Sequence, residues 1–174
     1  QSSVIPRFIK TKWKRDVDGG GGVMSLMRGK LFEKVGVNIS TVYGKLSDDF
    51  KKEIPGAEKN GKFWATGISV VAHMYNPKIP AAHMNTRFIV TGEGNKKKYW
   101  FGGGCDLTPM LPDIKAKKTF HTHLETMCDK FDKEFYKDFK LWCDNYFYLP
   151  HRDEHRGVGG IFLITSIIMS GKKI

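Results

Sequence analysis

The sequence predicts an α+β fold, in which sequential antiparallel strands are followed by helices. Three observations predict it. Alternating, β-branched runs succeed one another from Gly22 to Phe101, separated by turns and by one short helix and loop over 46–61. Beyond Asp113 the apolar spacing becomes helical, with Phe120, Leu124, Met127 and Phe131 on one stripe. The 174 residues, 40% apolar and 13% aromatic, suffice for one globular domain with a core.

Taken in order, residues 1–18 are basic, with Phe8 and Trp13 as candidate anchors. Gly19–Gly22 is a four-glycine run that reads either as an anion cradle or as a tight connection before a strand. Gly22–Leu31 reads as a strand with a turn at Arg28–Lys30, and Phe32–Tyr43 as its hairpin partner. Leu46–Ile54 reads as a short helix capped by Ser47, and Pro55–Gly61 as a surface loop. Trp64–Met74 is a strand with Ser69, Val71 and His73 on one face. Pro77 and Pro80 keep the next connection out of regular ladders.

The run His83–Thr91 is the most informative. His83, Asn85, Arg87 and Ile89 share one face, while Met84, Thr86, Phe88 and Val90 fill the other. An imidazole, an amide and a guanidinium on one sheet face point to a cavity lining, because unpaired polar groups are costly to bury. Gly92–Lys98 is a charged turn, and Tyr99–Phe101 a short strand leading into a glycine-rich loop that ends in Asp106. Three glycines there let backbone approach a ligand. Asp106 reads either as a helix N-cap or as a general base. Arg87 and Arg156 each suit an acidic ligand or Asp106 itself. One interrupted helix or two consecutive helices are expected over 113–148, with Phe135, Phe139, Trp142 and Tyr146 repeating the stripe. Leu149–Pro150 ends them, and the segment from His151 to Gly157 is dense in ionisable groups.

The net charge of +11 suits a polyanion: nucleic acid, a membrane surface or a multiply carboxylated small molecule. No run reaches transmembrane length, and residues 1–22 lack a signal-peptide core, so a cytoplasmic location is expected. Cys105, Cys128 and Cys143 have no CxxC spacing, so neither a disulfide framework nor a zinc knuckle is expected. Cys128 and Cys143 read as buried thiols within helices. The six histidines have no diagnostic ligand spacing.

The blocks GGGGVMSLMRGKLFEKVGVNISTVYG, FWATGISVVAHMYNP, HMNTRFIV, YWFGGGCDLTPM, DFKLWCDNYF and the segment His151–Phe162 occur in that order. Over residues 10–162 they resemble the oxygen-dependent coproporphyrinogen III oxidases, with 163–174 as a divergent tail to a single domain spanning 1–174. The resemblance implies oxidative decarboxylation of two propionates of coproporphyrinogen III to vinyl groups, giving protoporphyrinogen IX. It implies a large flat antiparallel sheet with helices on both faces, and a deep substrate cleft in a homodimer. Molecular oxygen is the implied co-substrate, no organic cofactor is required, and a divalent metal is left open. Among this chain's residues, the resemblance assigns proton donation to His83, engagement of the pyrrole N–H groups to Asp106, and a place near the reacting propionate to Arg156. Ser69, Asn85, Thr86 and Arg87 match substrate-binding positions, and His73, His83, His121 and His151 match candidate metal ligands. A four-carboxylate substrate fits the positive charge, and the motifs displace a nucleic-acid reading.

The chain departs from the pattern after Phe162. Leu163–Ser166 stand where the family carries an acidic pair, and Ile167–Ser170 faintly resemble a segment near its far C-terminus. The expectation is an incomplete sheet and dimer interface, and a chain of 174 residues with little or no activity, at most binding porphyrinogen or a partner chain.

Overall fold

A computed structural model describes residues 6–48, 51 and 56–163. Its frame is a seven-stranded antiparallel sheet in the order β1-β2-β3-β4-β5-β6-β9. The strands are β1 (Ile9–Lys14), β2 (Gly20–Met27), β3 (Phe32–Lys45), β4 (Lys62–Met74), β5 (Ala81–Thr91), β6 (Lys98–Thr108) and β9 (Gly160–Leu163). A two-stranded ribbon, β7 (Tyr148–Leu149) and β8 (Glu154–His155), lies outside it. The first six strands form a meander, each pairing with the next in sequence. β9 returns after the helices to pair with the far side of β6.

The helical stretch is two helices, α1 (Ile114–Cys128) and α2 (Phe135–Tyr146). Asp113 caps α1, its carboxylate accepting the Ala116 N–H at 2.8 Å. Leu124 and Cys128 of α1 pack on Ile161 of β9, with Phe120, Cys105, Phe135, Tyr136 and Phe139 around them. Met127 and Phe131, placed on the buried stripe by spacing, are exposed. Cys128 and Cys143 are buried thiols, as expected.

Several expectations change. Both helices gather at β9, where Leu124 and Cys128 meet Ile161 and Tyr146 stacks on Phe162 of the opposite face; among the described residues much of the apolar face is open, with Phe101 74% exposed. Gly20–Gly22 form no cradle, because they run inside β2 between two partner strands. A Cβ at Gly20 would stand 2.1 Å from the Thr41 carbonyl oxygen, so glycine serves close strand approach there. The short helix expected over 46–54 and the tail from 164 fall largely outside the described residues. No described helix is long and apolar enough to cross a membrane.

Candidate active site

Strand register builds the site. Three rows run across the sheet on one face. The first contains Ser40, Gly67, Arg87 and Gly102; the second Asn38, Ser69, Asn85 and Gly104; the third Val71, His83 and Asp106. The face shared by His83, Asn85 and Arg87 is therefore real, and Ser69 and Asp106 join it. Thr86 is not brought in, since its alternation puts it on the opposite face with Met84 and Phe88.

Asp106 is not in a loop and caps no helix. β6 runs unbroken through the glycines to Thr108, so Asp106 stands inside a ladder between His83 and Gly160. It is 3% exposed, and a buried carboxylate needs partners. Arg156 supplies them: Nη2 donates to both oxygens at 2.8 and 2.9 Å, and Nε donates to Oδ2 at 3.1 Å. His83 Nδ1 lies 3.3 Å from the same Oδ2 and donates to it. His73 meets the His83 ring edge-on at 5.7 Å between centroids.

Arg156 reaches Asp106 because of the loop that carries it. The Arg156 N–H donates to the Phe147 carbonyl at 3.1 Å, and the Phe147 ring lies 3.7 Å from the guanidinium carbon. Phe147 leans in turn on Phe162. Gly157 has φ +59°, and a Cβ there would sit 2.2 Å from the Leu107 carbonyl oxygen, so only glycine lets the loop lie on β6. Val158 N–H donates to that same carbonyl at 3.0 Å.

His121 braces the loop from α1. Its Nε2 donates to the Val158 carbonyl at 2.8 Å, and its Nδ1 accepts from the Tyr136 hydroxyl at 2.9 Å. Both nitrogens are committed, which takes His121 out of a metal set. His151 stands in an exposed turn after α2. Among the described residues no three His, Cys, Asp or Glu side chains converge as a metal ion requires. The group His73, His83, His121 and His151 is thus not gathered here, and no step is routed through a metal.

Arg87 is exposed and donates from Nη2 to Asn85 Oδ1 at 3.2 Å. That bond orients the amide and leaves its N–H groups for a ligand. Phe147, Tyr136 and Gly157 were not singled out by sequence reasoning. Gly157 alone carried a signal, as a glycine directly following an arginine in an ionisable stretch.

The arrangement offers a buried, guanidinium-clamped carboxylate with an imidazole against one of its oxygens, and amide, hydroxyl and guanidinium donors on the neighbouring rows. Comparisons bear on what such a face serves. A family model described as Coproporphyrinogen III oxidase matches residues 3–166, a span wider at both ends than the motifs alone cover. The chain is 58% identical over 156 residues to the proteins named oxygen-dependent coproporphyrinogen-III oxidase from Rickettsia rickettsii (strain Sheila Smith) and Rickettsia africae (strain ESF-5). The same identity holds for the protein of that name from Rickettsia bellii (strain RML369-C). The aligned region is 90% of this chain and 54% of each relative, so the chain spans about half the length of the curated relatives it matches.

Proposed function

Because the chain belongs to the coproporphyrinogen III oxidase family, we propose that the intact protein converts coproporphyrinogen III to protoporphyrinogen IX by oxygen-dependent oxidative decarboxylation. The observation that supports this best is the Asp106 cluster, a carboxylate aimed from the sheet beside donor-rich rows. Each reacting propionate loses carbon dioxide and two electrons with one hydrogen, leaving a vinyl group. Oxygen takes the electron pair and that hydrogen, and one further proton completes hydrogen peroxide.

In this reading Asp106 accepts hydrogen bonds from the pyrrole N–H groups and is placed to take a proton as charge develops in the ring. Arg156 holds Asp106 in position and presents its outer edge to the reacting propionate, since a guanidinium forks onto carboxylates. His83, hydrogen-bonded to Asp106, is the candidate proton donor. Arg87, Asn85 and Ser69 bind the remaining acidic periphery. Oxygen is the only co-substrate invoked. A homodimer in the cytoplasm completes the proposal, checked by light scattering and fractionation.

The test supplies the porphyrinogen anaerobically to the intact protein, admits oxygen, and follows product fluorescence after oxidation. Divinyl product with two oxygen molecules consumed per macrocycle is expected from the balance above. Binding without decarboxylation would replace the enzyme reading with that of a porphyrinogen-binding protein.

A further inference from the structure

In the second cross-strand row, Asn38 is the direct neighbour of Ser69, and Ser69 of Asn85. Asparagine is depleted in strands, because its side chain competes for backbone hydrogen bonds and packs poorly on a pleated face. Yet Asn38 stands in the middle of a fourteen-residue strand, between Val37 and Ile39, whose side chains take the other face. Asn85 stands equally central in β5, and its amide oxygen accepts from Arg87, so its N–H groups are the donors it can offer a ligand. Asn38 is half-buried and belongs to the same row. Adjacent strands lie about 4.8 Å apart, so an acceptor group of carboxylate size bridges donors on neighbouring strands.

We infer that Asn38 is a substrate-contacting residue, which with Ser69 forms a carboxylate subsite for one propionate of the macrocycle, beside the Asn85–Arg87 pair. The inference rests on the porphyrinogen reading and deepens it. The subsite is uncharged. It orients a propionate by donors from Asn38 Nδ2 and the Ser69 hydroxyl, and leaves charge neutralisation to Arg87.

The test measures anaerobic binding of coproporphyrinogen III and of the analogue with four ethyl groups in place of the propionates, which has no acceptor there, to the intact protein, through tryptophan fluorescence. Asn38→Asp replaces the amide donor with a carboxylate of the same shape. It weakens the tetracarboxylate about tenfold or more, the size of a hydrogen bond to a charged group, and leaves the tetraethyl analogue unchanged. Asn38→Val, a better strand former without a donor, gives the same selective loss with undiminished thermal stability, and decides the matter if Asn38→Asp does not fold. Equal affinity for the tetracarboxylate in the wild type and both variants overturns the inference. So does an equal loss for both ligands, which marks a merely structural role. If the wild type binds neither ligand, the porphyrinogen reading itself fails and the subsite falls with it; if it binds and the variants match it, only the subsite falls.

Discussion

Arg156 grips both carboxylate oxygens of Asp106 across fifty residues of chain, and the two partners are unequally buried. The Asp106 side chain keeps 4% of its surface, while that of Arg156 keeps 34%. Truncating one partner is costly in proportion to the charge left stranded. Arg156→Leu strands a buried carboxylate and should cost about 3 kcal/mol or more. Asp106→Asn leaves a guanidinium that water still reaches and should cost less, and the double variant should cost less than the sum. Urea unfolding of the four proteins measures this. Equal single costs with full additivity would show that the pair contributes little.

Phe147 should matter through Arg156 and not through bulk alone. Its ring stacks under the guanidinium, and such a contact is worth about 0.5–2 kcal/mol, depending on desolvation. Phe147→Leu keeps the apolar volume but removes the π face. It should lower stability by about that amount in the wild type, and by distinctly less in the Arg156→Leu background. A cycle with no coupling would reduce Phe147 to a spacer between Phe162 and the loop.

Two glycines of similar backbone conformation should respond differently to alanine. Gly157 has φ +59° with the Leu107 carbonyl oxygen 2.2 Å from an added Cβ, whereas Gly94 has φ +55° with nothing within 4 Å. Gly94→Ala should cost only the left-handed penalty of about 1–2 kcal/mol and leave turnover unchanged. Gly157→Ala must also move the loop that carries Arg156, and a shift of about 1 Å at a reacting group can cost about a hundredfold in rate. Steady-state turnover of the two variants at matched folded fraction separates these outcomes. Equal activities would mean that the loop position is not critical.

The sheet was legible because one face is polar and the other apolar, so alternation survives in the letters. His83, Asn85 and Arg87 could be put together from spacing alone. Asp106 could not, because glycine-rich stretches usually mark loops, and here they mark strands in tight contact: a Cβ at Gly104 would lie 2.3 Å from the Ile161 carbonyl oxygen. The Asp106–Arg156 clamp depends on β9 returning to β6, a long-range pairing that no local pattern encodes. Phe131 was misplaced because the helix ends at Cys128, after which the 3.6-residue period no longer applies, and Met127, still inside the helix, lies beside the buried line that runs from Leu124 to Cys128. The histidine set matched the family's positions, but the hydrogen bonds of His121 to Tyr136 and Val158 are visible only in three dimensions.

Alkaline stability should depend on Cys143. It is fully buried, and burial pushes its thiol up to about 12, with the carboxylates of Asp106 and Asp144 adding to the push and Arg156 opposing it. In an unfolded chain a thiol ionises near about 8.5. Between those values the unfolded chain releases a proton that the folded chain retains, so stability is fully present below the lower value and is lost as pH rises toward the upper one. The slope from such a group approaches about 1.4 kcal/mol per pH unit within that window. Cys105 and Cys128 are also raised by burial and act in the same direction. Cys143→Ala removes one of the three contributions. The fall in urea midpoint between about pH 8.5 and 10.5, inside this window, should therefore be smaller in Cys143→Ala than in the wild type. Identical falls would mean that the Cys143 thiol ionises as readily in the folded protein as in the unfolded chain.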